Sequence, residues 1–340
     1  MPAGIRGFPL PKGNRDADIR VRLFTMLIHD ILGLEADENI YFVEESYASL
    51  KNNTLSLQYL ENIQKDPEAL ISGIKDENNN ITGLVLFNPE TDDTEKFRAI
   101  FTNLVSSKPV PNESSRRFSS IAKNLKLNKL FNATSTEFNN AIIEYYSFQL
   151  VNRQLCENCH IKKEPYEMVY IESRNAKLKG LLEKYRLKGD ILEICCGNGM
   201  STLPLHRMGY NPLATDYDKC QICQGLEHNV LDPKRTIVLD ATRLSEFFAE
   251  NTFDTVVGFM LGTIYPFNKA IWEKMMVEAV RVMKPEGMIL LTVNKKEEME
   301  ILKVALEKNR ITGELIDNTD EKGIYDQWVY VGNKEIYAAR

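Results

Sequence analysis

Ile191-Leu192-Glu193-Ile194-Cys195-Cys196-Gly197-Asn198-Gly199-Met200-Ser201-Thr202 reads as an apolar strand that closes on an acid, enters a glycine loop and restarts as a helix. Gly197 and Gly199 supply positive φ and remove the Cβ atoms that would hold a nucleotide-like ligand off the backbone, and Ser201 or Thr202 is placed to cap the helix. The loop is therefore read as a binding surface. Gly-x-Gly also occurs in ordinary strand-to-helix turns, so its weight comes from the elements that follow it. Pro212-Leu213-Ala214-Thr215-Asp216 is a second strand ending in a carboxylate. Its acid falls close to the interval of roughly 20 residues expected when a ribose is bound in a doubly wound fold. Asp218 stands where the next helix needs a cap. Thr236-Ile237-Val238-Leu239-Asp240 is a third strand with an acid at its carboxyl end, and Phe253-Asp254-Thr255-Val256-Val257-Gly258-Phe259-Met260 a fourth.

The remaining pattern continues this alternation. Ala270 to Met283 carries Ile271, Met275 and Val282 at helical spacing, and Lys284-Pro285-Glu286-Gly287 stops it before an apolar fifth strand from Met288 to Val293. Lys295 to Asn309 is a charged amphipathic helix. Gly313-Glu314-Leu315-Ile316 and Tyr325-Asp326-Gln327-Trp328-Val329-Tyr330-Val331 read as two strands joined through Asp320-Glu321-Lys322-Gly323.

In order and spacing, Glu193 to Gly199, Asp216, Asp240 with Ala241, the strand from Phe253-Asp254, and Val280-Arg281-Val282-Met283-Lys284-Pro285-Glu286-Gly287-Met288-Ile289-Leu290-Leu291 resemble the motifs of class I S-adenosylmethionine-dependent methyltransferases. The resemblance covers roughly the last half of the chain. It implies an α/β fold with a doubly wound, mostly parallel, seven-stranded Rossmann-like sheet whose last strand is reversed, and S-adenosyl-L-methionine as cofactor. By the same resemblance Gly197 and Gly199 pass under the methionine part, Asp216 binds the ribose hydroxyls, Asp240 binds the adenine amine, and Glu193 orients the loop or the cofactor's ammonium. The implied cofactor-binding set is Glu193, Cys195, Gly197, Asn198, Gly199, Asp216, Tyr217, Asp240, Ala241 and Phe259. Two departures stand out. The family's first motif glycine is Cys195 here, which leaves less side-chain space at the turn. Where family members that methylate base amines or glutamine amides carry Asn/Asp-Pro-Pro-Tyr, this chain reads Gly258-Phe259-Met260-Leu261-Gly262-Thr263-Ile264-Tyr265, so those acceptors are not expected.

With 340 residues, 43% hydrophobic and 26% charged, the chain has the composition of an ordinary soluble protein long enough for two domains. We expect a mainly helical substrate- or partner-recognition domain over 1–165 and the methyltransferase domain over 166–340. Arg20 to Leu34, Ala48 to Ile63 and Phe138 to Leu150 have helical patterns, and Ile81 to Phe87 reads as a strand after Asn78-Asn79-Asn80. Tyr145 and Tyr146 are candidates for an acceptor site, although paired aromatics on a helix more often pack. No apolar run reaches a membrane span, and the first residues lack a signal-peptide core, so a cytoplasmic protein is expected. A formal charge of −6 argues against a general nucleic-acid binder. The basic run of Lys108, Arg116, Arg117, Lys123, Lys126 and Lys129 is read as a solvated face.

All six cysteines are paired in sequence, as Cys156-x-x-Cys159, Cys195-Cys196 and Cys220-x-x-Cys223. Cys156, Cys159, Cys220 and Cys223 are the thiolate set that a zinc ion or an iron–sulfur cluster would use, with His160 as a substitute ligand. Cys is also among the residues most readily buried, and packing is the favoured expectation. The pairs tilt the acceptor towards sulfur or another soft atom on a small molecule or protein side chain. For a base near the cleft the candidates are Tyr265, His228 and Tyr217, of which Tyr265 is preferred because it follows the fourth strand; His29 and His206 are expected to be structural. The competing reading is a non-catalytic protein of the same fold that works in a complex or holds a metal. A dehydrogenase is disfavoured, because Thr202 stands where the last glycine of Gly-x-Gly-x-x-Gly would fall.

Overall fold

The computed structural model describes residues 26–152, 155 and 172–335, apart from 67, 92–94, 109 and 321–322. Two sheets organise the chain. The first is built from α1 (Leu27–Leu32), β1 (Asn39–Phe42), α2 (Thr54–Ile63), β2 (Ile71–Lys75), β3 (Ile81–Asn88), β4 (Phe97–Thr102), α3 (Glu113–Asn124), β5 (Lys129–Asn132) and α4 (Ser135–Val151). Its strand order is β1-β4-β3-β2-β5, with β1 parallel to β4, β2 parallel to β5, and β3 antiparallel to both its neighbours. Along β3 the side chains alternate between two cores. Leu84 and Leu86 pack under α2 and α3 with Leu60 and Phe118, while Val85 faces Phe138 and Ile142 of α4.

This sheet corrects the expectation of a mainly helical N-terminal region. Helices cover both of its faces, so consecutive residues of β2 and β4, such as Gly73-Ile74 and Ala99 to Phe101, are buried and these strands lack the alternation that would mark them in the sequence. The strand at 81–87 and the helix at 138–150 stand as expected. The helix expected over 48–63 is broken: a 3₁₀ turn at Tyr47–Lys51 ends at Asn52, and Asn53, in the left-handed region at φ 48°, restarts the chain as α2. Of the helix expected over 20–34 only α1 lies within the described residues.

The second sheet follows from α5 (Glu172–Lys184), β6 (Ile191–Ile194), α6 (Thr202–Arg207), β7 (Leu213–Asp216), α7 (Lys219–Glu227), β8 (Thr236–Val238), α8 (Leu244–Phe247), β9 (Phe253–Gly258), α9 (Lys269–Val282), β10 (Met283–Val293), α10 (Lys296–Lys308), β11 (Ile311–Asp317) and β12 (Trp328–Lys334). The order is β11-β12-β10-β9-β6-β7-β8, parallel from β10 to β8 and antiparallel at β12 and β11. This is the mostly parallel, seven-stranded arrangement with a reversed ending. The order turns between β6 and β9, so the carboxyl ends of these two strands open a crevice for a ligand. At the opposite edge, Gly189 (φ 58°) admits the Asp254 carboxylate, which accepts from the Asp190 amide at 2.8 Å and from Lys284 at 2.6 Å.

α4 joins the two sheets. Its amino end is closed by a capping box between Thr134 and Glu137. Tyr145 and Tyr146 pack on Phe42, and Ser147 Oγ donates to the Thr236 carbonyl of β8. Leu150 enters an apolar cluster with Cys196, Ile222, Cys223 and Leu226. Tyr47 stacks on Phe247 across the same junction, so one continuous core runs through both parts. No helix among the described residues is long and apolar enough to cross a membrane.

Candidate functional site

Every side chain of β6 is buried, its acid included. Glu193 is fully buried; Oε2 accepts from Thr202 Oγ1 at 2.7 Å, and Oε1 has no partner among the described residues. Burial pushes its carboxyl up to about 8, against the lowering effect of the Thr202 hydrogen bond and of Arg174. Thr202 therefore does not cap α6, and neither does Ser201, whose hydroxyl accepts from Arg174 Nη2 at 2.8 Å. The capping expected of these two residues is thus replaced by tertiary bonds.

Three residues of the loop have positive φ: Cys195 at 55°, Gly197 at 54° and Gly199 at 85°. Cys195 holds the left-handed conformation that a glycine would adopt without a Cβ penalty. The two glycines answer different needs. A Cβ on Gly199 would come within 2.7 Å of Leu231 and 2.9 Å of Val230, so this glycine lets the loop pack on the turn after α7. A Cβ on Gly197 would meet only Gln221 Oε1, at 4.0 Å, among the described residues, so the backbone there faces open space. Gly225, inside α7, brings that helix against the Asn198 carbonyl, which a Cβ would approach to 2.6 Å. This contact carries no signal in the sequence, where a helical glycine reads only as a weak spot.

Asp216 closes β7 beside the loop. Its Oδ2 accepts the Gly197 amide at 2.9 Å and its Oδ1 the Asp218 amide at 2.8 Å. Burial raises its carboxyl above the usual range, opposed by those amides. Asp218 caps α7 as expected, accepting from the amides of Cys220 and Gln221. Asp240 stands exposed at the end of the neighbouring strand, its Oδ1 held by the Thr242 amide, with Ala241 buried behind it. Glu193, Gly197, Asn198, Gly199, Asp216, Asp240 and Ala241 thus lie along one edge. Tyr217 is 74% exposed at that edge. Phe259 departs from the set: it packs with Leu178, Val257 and Leu290 on the sheet face covered by α5.

The loop after β9 forms the other wall. Met260, at φ 51°, donates its amide to Thr292 Oγ1 at 2.6 Å, and Ile264 donates to Glu298. Asn268 closes a tight turn by accepting from the Tyr265 amide and donating to the Thr263 carbonyl. Tyr265 is half exposed and stacks on Phe267, ring centroids 5.3 Å apart and 11° from parallel. The other candidates lie elsewhere. The nine-residue α7 puts His228 about 13 Å from its amino end. His206 lies in the last turn of α6, with its imidazolium disfavoured by burial, and His29 is buried at the Glu38 carbonyl. Tyr145 and Tyr146 are core residues, so they do not line an acceptor site.

The cysteines divide. Cys196 and Cys223 belong to the apolar cluster under α4, Cys195 Sγ lies 3.6 Å from Met275 Sδ, and Cys220 is exposed on the first turn of α7. Burial pushes the Cys195 and Cys196 thiols up, away from the thiolate that a metal requires. Among the described residues no group of three or more His, Cys, Asp or Glu is arranged to hold a metal. Cys156, Cys159 and His160 lie outside the described residues.

Residues 191–287 match the family model described as a methyltransferase domain. Residues 191–287 carry a methyltransferase domain. The cofactor of such a domain, S-adenosylmethionine, suits the residues present: Gly197 leaves open backbone, Glu193 offers a buried oxygen with no partner among the described residues, and the Asp216 carboxylate is aimed by backbone amides of the loop. Solved structures similar to this methyltransferase half include a Pyrococcus horikoshii protein (22% identity, 48% of this chain and 91% of that one, TM-score 0.39). A SAM-dependent methyltransferase from Archaeoglobus fulgidus shares 14% identity over 47% of this chain and 94% of its own, with TM-score 0.37. A putative methyltransferase from Methanococcus maripaludis shares 11% over 58% and 95%, with TM-score 0.41. No curated protein matches the chain.

Proposed function

We propose that this chain is an active methyltransferase whose acceptor is a small molecule or a protein side chain presenting sulfur or another soft atom that is already nucleophilic. The observation that carries the reading is the open backbone at Gly197, bounded by Asp216 on one side and Glu193 on the other. In this reading Cys195 to Gly199 runs beneath the methionyl part of the cofactor. Asp216, its two oxygens already aimed by the amides of Gly197 and Asp218, receives the ribose hydroxyls on its remaining lone pairs. Asp240 accepts from the adenine amine, with Tyr217 and Ala241 beside the base.

Bound cofactor supplies an electrophilic methyl for in-line displacement. The chain aligns the acceptor and excludes water. The preference for a soft acceptor is supported by the acceptor wall. There the Glu298 carboxylate is committed to the amides of Ile264 and Lys295, and Asp326 to Arg174 and Thr292. The three described histidines lie elsewhere, as shown above. A hydroxyl acceptor needs a base, whereas an ionised thiol does not. Tyr265 is assigned to holding the acceptor by its ring. Residues 1–165 are assigned to acceptor or partner recognition, and 166–340 to transfer.

The test is methyl transfer from labelled cofactor to matched thiols, amines, phenols and alcohols. Transfer favouring thiols is the expected result. Tight cofactor binding without turnover on any class would replace this reading with that of a non-catalytic binding protein, and transfer confined to amines or to alcohols would overturn the soft-acceptor assignment.

A further inference from the structure

In the first sheet, the turn between β2 and β3, the loop that follows β4 and the helix α3 enclose an open cleft of about 650 Å³. α3 packs on the face of the sheet opposite α4, the helix that joins the two halves, and the cleft shares no residue with the glycine loop or the loop after β9. Its size is that of a small-ligand site, but its lining differs from the usual apolar pocket. Only Ile81, Leu104 and Pro111 of the described lining residues are apolar, and none is aromatic.

α3 sets the charge of this cleft. Arg116, Ser119, Ser120 and Lys123 stand at i, i+3, i+4 and i+7, so they share one face of the helix, with about 10 Å along the axis between the two cations. Neither cation has a carboxylate partner among the described residues, whereas Arg117, on another face, is paired with Glu61. Ser119 Oγ donates to the Ser115 carbonyl at 2.9 Å and accepts from Asn103 Nδ2 at 3.4 Å, which ties α3 to the loop across the cleft. The two acids of the lining belong to the β2–β3 turn and are committed to local donors. Asp76 accepts from the amides of Asn78 and Asn80 and from Asn80 Nδ2, and Glu77 Oε2 accepts the Ser135 amide at 2.7 Å, with Oε1 left open. Unpaired cations on a helix are commonly a solvated face. These two differ in converging with hydroxyls and amides on a concave surface.

The ligand chemistry follows from that lining. Two unpaired cations beside serine hydroxyls suit a phosphate, to which charge-assisted hydrogen bonds are the strong ones. Asn80, Ser107 and the open Glu77 oxygen accept as well as donate, which suits a ligand carrying hydroxyls of its own. With no aromatic ring in the lining, a nucleobase has nothing to stack on. We propose that the cleft is a second ligand site, which takes a sugar phosphate: Arg116 and Lys123 bind the phosphate above Ser119 and Ser120, and Glu77, Asn80 and Ser107 bond the sugar hydroxyls. This site stands apart from the adenosyl crevice and from the methyl acceptor.

The experiment is calorimetry on the full chain at low salt, with ribose 5-phosphate and glucose 6-phosphate as probes and with ribose, inorganic phosphate and a short single-stranded RNA as comparators. At least one sugar phosphate is expected to bind about tenfold or more tightly than ribose, inorganic phosphate or the RNA. Arg116→Ala and Lys123→Ala, both at exposed positions, should each weaken it by about tenfold or more, as for loss of a hydrogen bond to a charged group. Lys126→Ala, which removes the same charge outside the cleft, should change it less than about twofold. Binding of S-adenosylhomocysteine, measured on the same proteins, should not change, and its absence from all of them would count against the cofactor site alone. Four results overturn the proposal: no binding of either sugar phosphate at millimolar concentration, inorganic phosphate binding as tightly as the sugar phosphates, an equal loss in Lys126→Ala, or RNA as the tighter ligand, which would make α3 a nucleic-acid face instead.

Discussion

Replacing Glu193 with Gln removes a titration and leaves the shape of the side chain nearly unchanged. The carboxyl is fully buried, and burial raises its ionisation from the ordinary glutamate value of 4.5 to about 8. The raised value means that the folded protein keeps the proton after the unfolded chain has released it. Stability from this group is therefore complete below about pH 4.5 and is lost as pH rises to about 8. At about 1.4 kcal/mol per pH unit, folding loses on the order of 3 kcal/mol between pH 5 and pH 7.5 from this residue alone. Glu193→Gln has no such loss. At pH 5 the variant is expected to be less stable by about 1–3 kcal/mol, because its amide N–H groups occupy the place of the unpartnered Oε1. At pH 7.5 the order is expected to level or reverse. Urea unfolding of both ligand-free proteins at several pH values measures this, and the difference between them cancels titrations remote from the site. Asp216 and Arg174 face Glu193 in both proteins, so they stay in the comparison. A stability difference that does not change with pH would refute the buried, protonated state of Glu193.

Asp216→Ala should weaken cofactor binding at least tenfold by calorimetry, since it removes the proposed ribose ligand and leaves the Gly197 amide without its acceptor; unchanged affinity would sink the assignment. Gly199→Ala should destabilise the protein by about 2–4 kcal/mol, because a Cβ meets Leu231 and Val230 while the backbone stays at positive φ, and a melting temperature within a degree of wild type would contradict it. Cys195→Gly relieves a left-handed non-glycine residue worth roughly 1–2 kcal/mol and gives up a sulfur contact and chain stiffness, so a net gain below about 1 kcal/mol is expected in thermal unfolding. Tyr265→Phe should keep kcat within about threefold, and Tyr265→Ala should raise KM, if the ring rather than the hydroxyl serves the acceptor; loss of turnover in the Phe variant would restore Tyr265 as the base.

What the sequence made legible is local. A strand ending in an acid, a glycine loop and an acid at the end of each following strand declare themselves within short windows, which is why Glu193, Gly197, Asp216 and Asp240 emerge together. Arg174 and Asp326 were silent because their pairing joins positions 152 residues apart. Gly225 was silent because its role is to let another backbone approach. Phe259 misled because the residue after a strand end can turn to either face, and here it turns to α5. The N-terminal sheet escaped for a different reason: with helices on both sides, β2 and β4 lose the alternation that marks a half-buried strand.

α4 gives the molecule a mechanical property that neither sheet has alone. Its tyrosines sit in the core of the first sheet, while Ser147 and Leu150 reach β8 and the floor beneath α7. The strand that presents Asp240 and the helix that supports the loop therefore cannot loosen without disturbing the first sheet. Heat or denaturant should melt the two parts in one cooperative transition, and a fragment cut to the methyltransferase half alone would leave its Cys196–Cys223 cluster facing water.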